Sequence, residues 1–273
     1  MLDTAALERA DLPRPDISAV DAGTILAEKY GLTGRLTELG SQQDRNFRIA
    51  VDDAAYVLKI NRAAYGTVEL DAQNAAMKHL RGKGVRVPGV GRSLDGQEIM
   101  ELSVRGEPYL ARLLEFLDGE PLTRHKFLAV RTREAMGALV ANVARALADF
   151  RHEGLDRSVQ WDLRRVVQVT EHMLPQVADA GAREHVRSVL LVADRLVQAR
   201  APSLRVHAVH HDITDDNVVA KPDNDGVLIP EGVIDFGDVV YGWVVAELAV
   251  CCAALLHHAE GDPFYILPAV GAF

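Results

Sequence analysis

Residues 210–238 contain two polar clusters set among short apolar runs. The first is His210-His211-Asp212-Ile213-Thr214-Asp215-Asp216-Asn217, and the second is Ile234-Asp235-Phe236-Gly237-Asp238. Asp212 and Asn217 are separated by four residues, and Asp235 follows 18 residues after Asn217. The apolar runs at 206–209, 218–219 and 232–235 read as short strands around polar turns. This places an Asp and an Asn on one short loop and a second Asp on the next hairpin. The plainer alternative is an Asp-rich loop that caps turns, a role that suits Asp215 and Asp216.

These residue types in this order suit one chemistry. Phosphoryl transfer from a nucleotide needs a carboxylate that orients and accepts the proton of the attacking hydroxyl. It also needs hard oxygen ligands for a divalent cation that bridges the phosphates. His-x-Asp-x4-Asn followed by Asp-Phe-Gly is the arrangement that kinases use. An Asp and an Asn on one short loop, Asp212 and Asn217, with Asp235 on the next hairpin, can supply these groups. Neither a Gly-x-Ser-x-Gly elbow nor a His-Glu-x-x-His pair is present, which argues against two common hydrolase types.

The rest of the chain supplies a frame for that site. Residues 21–31 have helical spacing through Ile25, Leu26 and Tyr30 and stop at Gly31. Residues 34–62 read as three strands with short turns; in the second, Phe47, Ile49 and Val51 alternate with Asn46, Arg48 and Ala50. In the third, Lys59 is the single charge in Tyr56-Val57-Leu58-Lys59-Ile60. It shares a face with Val57, opposite Tyr56, Leu58 and Ile60. A lysine among apolar neighbours needs an anion or water. Nucleotide phosphates would serve; the other reading is an edge-strand lysine that blocks aggregation. Ser41 lies in the turn 40–46, which either contacts phosphates or is an ordinary hairpin loop. Residues 67–80 are helical. Residues 85–90 are strand-like but cross Pro88, and strands are expected around 98–104 and 110–117. The run Leu113-Leu114-Glu115-Phe116-Leu117 is an extended connector whose backbone could meet a purine edge at Glu115 and Leu117. The turn 118–121 is the expected lobe boundary, residues 126–200 are mostly helical, and a helix is expected from Trp243.

Composition narrows the class further. The chain has 273 residues, 48% hydrophobic and 25% charged, with a net charge of −9, which is ordinary for a globular protein with a large core. No Lys/Arg run breaks the acidity, so no nucleic-acid partner is expected. The acidity suits a cationic substrate but is common in soluble proteins. Cys251 and Cys252 are adjacent and read as buried thiols, which fits a reducing, cytoplasmic setting. Met1 to Ala5 have neither the basic nor the apolar region of a signal peptide. The most apolar segment, residues 244–256, is too short to span a bilayer and contains Glu247, so no membrane association is expected.

At these residues the chain resembles the aminoglycoside phosphotransferase family, which is similar to choline kinases. The resemblance runs from about residue 20 to the end, and its nearest likeness is to hydroxylysine kinases and to the kinase domain fused to class-III aminotransferase-like proteins. Ser41-Gln42-Gln43-Asp44-Arg45-Asn46-Phe47, Tyr56-Val57-Leu58-Lys59-Ile60 and Trp161-Asp162-Leu163 carry it. It implies an α+β, protein-kinase-like two-lobe fold with an antiparallel β-sheet N-lobe (residues 1–117, including the connector) and a mainly helical C-lobe (residues 118–273). It implies Mg²⁺, ATP or GTP as phosphoryl donor, and a small amino alcohol or aminoglycoside as acceptor. Asp212 matches the catalytic aspartate, Asn217 and Asp235 the metal ligands, and Lys59 the phosphate-binding lysine. The lysine's helix partner is implied at Gln73, with Glu69 one turn earlier on the same face. Trp161-Asp162 is read as a helical pair that packs.

Three departures shape the expectations. His211 stands where the family usually has Gly, so its side chain is expected to alter the loop or lean toward the substrate. Gln73 stands where a glutamate is usual. The chain stops at Phe273, so an incomplete C-lobe and further domains of the same polypeptide are expected. The alternative to an active kinase is a nucleotide-binding pseudokinase domain with a regulatory role.

Overall fold

The computed structural model describes residues 12–273; the signal-peptide reading of Met1 to Ala5 lies outside the described residues. Ser18 caps the first helix, α1 (Ala19–Ile25), through a reciprocal capping box with Asp21. The helix runs on as a π-helical turn, Leu26–Tyr30, and stops at Gly31 with φ 66°, a left-handed residue that glycine adopts freely.

Five strands then form one antiparallel sheet. They are β1 (Arg35–Leu39), β2 (Arg45–Val51), β3 (Ala54–Arg62), β4 (Met100–Val104) and β5 (Glu107–Glu115), in the order β1-β2-β3-β5-β4. Between β3 and β4 runs helix α2 (Thr67–Gly82). The expected strand at 85–90 is replaced by isolated bridges, Arg86 with Gly232 and Val90 with Leu114. Pro88 lacks the N–H that a ladder needs.

The period of two sorts the sheet's faces. Phe47, Ile49, Leu58, Ile60, Ala111 and Leu113 form one apolar cluster with Ile17, Ala22, Ile25 and Leu26 around α1. Each fully buried side chain of this size contributes roughly 1.5–3 kcal/mol. Lys59 therefore projects from the opposite face, and it is not on an edge, because β3 is the central strand of the five.

After the connector the chain is largely helical: α3 (Val130–Leu147), α4 (Val166–Met173) and α5 (Ala180–Gln198). Four short strands follow, β6 (Val206–Val209), β7 (Val218–Pro222), β8 (Leu228–Val233) and β9 (Val240–Trp243). Helices α6 (Val244–Leu256) and α7 (Leu267–Ala272) close the described chain. β7 pairs with β8 and β6 with β9, both antiparallel. The larger core gathers one face of α2 (Ala72, Ala76, Met77, Leu80) with Met136, Val140 and Leu147 of α3 and with Ile213, Val218, Val233 and Phe236.

Candidate active site

Two hairpin pairings collapse the 18-residue gap between the polar clusters. Val218 is registered with Val233 and Val209 with Val240, so the loops 210–217 and 234–239 leave the same strand ends. Ile234 N–H donates to the Asn217 carbonyl at 2.9 Å. Asn217 Nδ2 donates to Asp212 Oδ2 at 2.6 Å and to the Asp212 carbonyl at 3.1 Å. Lys59 Nζ donates to Asp235 Oδ1 at 2.8 Å across 176 residues of sequence. Asp212, Asn217, Asp235 and Lys59 thus form one chain of contacts.

The electrostatics of the four differ. Burial pushes the Asp212 carboxyl up to about 8, aided by the carboxylates of Asp238, Asp235 and Asp216. Asp238 is raised to about 6 by burial and by Asp235. Asp235 is held down at about 2 by the Lys59 ammonium, against the cost of its own burial. Burial works against the charge of Lys59, but Asp235 and Asp44 outweigh it and keep the ammonium protonated.

The loop around Asp212 is held from behind. His211 has φ 72° and Asp235 has φ 57°, each in a region that costs a residue with a β-carbon about 1–2 kcal/mol. Glu247 of α6 accepts from the backbone N–H of His210 and, at 3.3 Å to each oxygen, from that of His211. His210 Nε2 donates to the Ile234 carbonyl at 3.1 Å, which ties the two polar loops together. Burial lowers His210 to about 4, so the ring is neutral. The His211 ring is buried and donates from Nε2 to the Trp161 carbonyl at 3.1 Å. It alters the loop by tying it to residue 161.

The implied helix partners of Lys59 and the helical reading of Trp161-Asp162 need correction. Neither Glu69 nor Gln73 is the partner of Lys59. Glu69 pairs with Arg157, and Gln73 Oε1 accepts from Arg112 at 2.7 Å. Arg112 is buried and directly opposite Lys59 in register, so it draws the amide of α2 to itself. Ser41 Oγ accepts from Asp44 N–H at 3.1 Å, which caps its own turn. At the connector, Glu115 N–H is spent on the Gly89 carbonyl at 2.8 Å and its carboxylate on Arg81 at 2.6 Å. Phe116 N–H is spent on Ala55. Leu117 N–H makes no backbone hydrogen bond among the described residues. Trp161-Asp162 is not helical. Asp162 caps the turn that follows and pairs with Arg164, whereas Trp161 is 57% exposed.

The residues fit a divalent cation of the hard kind. Asn217 turns its amide nitrogen inward to Asp212, which leaves Oδ1 without a donor among the described residues, and Asp235 Oδ2 is likewise without one there. No cluster of three or more His, Cys, Asp or Glu side chains among the described residues could hold a metal by itself. Two side-chain oxygens, Asn217 Oδ1 and Asp235 Oδ2, suit a hard divalent cation that completes its shell with phosphates and water.

Three residues to which the sequence assigned no role complete the picture: Asp44, Arg157 and Glu247. Glu247 left a signal, a lone carboxylate in an apolar helix. Asp44 and Arg157 left none, since their contacts depend on register and on tertiary approach.

The architecture recurs in solved phosphotransferases. An amicoumacin kinase, solved in complex with AMP-PNP and Ca²⁺, superposes with a TM-score of 0.69 at 15% identity, over 99% of this chain and 79% of that one. A microcompartment-associated aminopropanol kinase gives 0.72 at 18% identity, over 93% and 80%. The fold is the protein-kinase-like one expected from sequence. In sequence, hydroxylysine kinase of Mus musculus is 27% identical over 260 residues, 87% of this chain and 69% of the relative. Its counterpart in Danio rerio is 24% identical over 250 residues, 87% and 70%. Residues 35–267 match the model of the phosphotransferase enzyme family, and the chain belongs to that family.

Proposed function

We propose that this phosphotransferase moves the γ-phosphoryl group of ATP or GTP to the hydroxyl of a small amino-bearing molecule, an amino alcohol of the hydroxylysine or ethanolamine type or an aminoglycoside. The observation that carries the reading is the convergence of Asp212, Asn217 and Asp235 with Lys59, through contacts of 2.6 and 2.8 Å. In this reading Asn217 Oδ1 and Asp235 hold Mg²⁺, which neutralises phosphate charge when bound. Lys59 faces the phosphates, and Leu117 offers its N–H to the base. Asp212 orients the acceptor hydroxyl and takes its proton. Burial raises the Asp212 pKa and three carboxylates raise it further, so an acceptor that brings its own ammonium adds positive charge beside this cluster. The relatives named hydroxylysine kinase and aminopropanol kinase support that acceptor class. Two free, buried cysteines fit a cytoplasmic enzyme, and no helix among the described residues is long and apolar enough to cross a membrane.

The test is a screen of hydroxylysine, ethanolamine, choline, homoserine and an aminoglycoside with ATP and with GTP, reading nucleotide consumption. Asp212→Asn should lower kcat on the best acceptor by about 10²–10⁴-fold, with Mg-nucleotide affinity retained. Full turnover in that variant would remove Asp212 from the chemistry.

A further inference from the structure

Lys59 carries two carboxylates, and they come from different parts of the fold. Asp235 Oδ1 lies 2.8 Å from Nζ and Asp44 Oδ2 lies 3.2 Å away. Asp235 is the carboxylate that the proposed function gives to the metal, and a carboxylate recruited by a divalent cation is no longer the main counter-ion of an ammonium. Asp44 has no such second duty. It is 7% exposed and fixed on three sides. Asn61 Nδ2 donates to its Oδ1 at 2.8 Å, its N–H donates to Ser41 Oγ at 3.1 Å, and its carbonyl accepts from Arg14 Nε at 3.2 Å.

The helix beside the strand offers no substitute. Gln73 is uncharged and engaged with Arg112, and Glu69 is engaged with Arg157. Arg112 stands directly opposite Lys59 on β5 and is itself buried, so two cations lie side by side where like charges repel. A fixed anion at this point offsets that repulsion.

We propose that Asp44 is the positioning residue for Lys59: the β1–β2 turn supplies the anchoring carboxylate that a helix supplies in the family this sequence resembles. This rests on the reading of Lys59 as the phosphate-facing lysine. The anchor has two opposed effects. It fixes the ammonium where phosphates arrive, which raises turnover. It also places a negative charge close to those phosphates, which weakens nucleotide binding.

Asp44→Asn should therefore split the two parameters. The expected result is a fall in kcat of roughly 10- to 100-fold, the scale of a misplaced catalytic group, together with MgADP binding no weaker than in the native chain. Asp44→Glu, which keeps the charge, should recover part of the lost kcat. Calorimetric titration with MgADP, steady-state kinetics and a thermal melt read these separately. Turnover of Asp44→Asn within twofold of the native chain would overturn the proposal. So would a parallel loss of MgADP affinity and kcat that Asp44→Glu does not mend, because that pattern marks a structural role. If Asp44→Asn does not fold, Asn61→Ser removes the amide that fixes Asp44 and should give the same split in weaker form; unchanged kcat there counts against the proposal. A native chain that phosphorylates no acceptor would overturn the proposed function instead. The MgADP titration still judges Asp44 in that case: binding by Asp44→Asn at least as tight as native supports the proposal, and weaker binding refutes it.

Discussion

A single buried carboxylate sets much of the geometry around Asp212. Glu247 is fully buried on α6, and among the described residues the N–H groups that donate to it are the backbones of His210 and His211. Those hydrogen bonds favour the charged form, but burial dominates and pushes the carboxyl up to about 7 from its ordinary 4.5. The folded state therefore holds a proton that the unfolded chain releases between those two values. Stability from this group is fully present below pH 4.5 and is lost as pH rises through about 7. Glu247→Gln keeps one acceptor oxygen for the loop and does not titrate. Urea unfolding of both proteins from pH 5 to pH 7 should show the native chain losing stability relative to Glu247→Gln, on the order of 1 kcal/mol per pH unit. A difference that stays constant with pH would show that Glu247 is ionised throughout. The same residue exposes a limit of reading by spacing. Its place in an apolar helix was visible, but what it holds was not, because His210 and His211 are 36 or more residues away.

At the scale of elements, close approach decides where small residues are required. Helix α3 crosses α7 at Gly137, where an added β-carbon would stand 2.1 Å from the Ala269 carbonyl oxygen. Backbone cannot yield as a side-chain tip can, so Gly137→Ala should force the helices apart. The expected cost is about 1–3 kcal/mol, read as a lower urea midpoint with far-UV helicity retained; an unchanged midpoint would mean that α7 does not pack there. Contacts of this type are invisible in sequence, whereas the elements themselves were largely legible. β2 and β3 followed from alternation at Phe47, Ile49 and Val51 and around Lys59, and α2 from its stripe of Leu70, Ala76, Met77 and Leu80. β9 was missed because four residues right after a motif carry too little pattern. The site divides the same way. Asp212, Asn217 and Asp235 were readable because their spacing is local and the turns between them are short. Asp44 was not, since it meets Lys59 only through the register that sets Asn46 beside Lys59 across β2 and β3. Gln73 was misread because nothing local says that Arg112 will claim it.

On the scale of the whole molecule, the two parts of the chain share their interior. Ala72, Ala76, Met77 and Leu80 of α2 lie in one apolar cluster with Met136, Val140, Val143 and Leu147 of α3 and with Phe236 beside the metal-ligand candidate. Arg157 adds a polar tie, since it donates to Glu69 on α2 and to the carbonyls of Gly237 and Val239, at 2.5 and 3.0 Å for the last two. The connector is stitched to β7 as well, by paired backbone bonds between Glu120 and Ala220 at 2.9 and 3.0 Å. Removing α2 with the N-terminal part would strip one side from this core, so neither part should unfold alone. The two tryptophans, Trp161 and Trp243, both lie beyond residue 118, so their fluorescence reports the helical part, while far-UV circular dichroism reports the whole. The two probes should give one coincident transition in urea. On the proposed function MgADP binds between the parts; it should then stabilise both at once, by about 2.7 kcal/mol at a hundredfold excess over its Kd, and move the two curves together. If the dichroism curve falls before the fluorescence curve, or if MgADP shifts one and not the other, the sheet and the helical part are energetically separate and the shared core does not couple them.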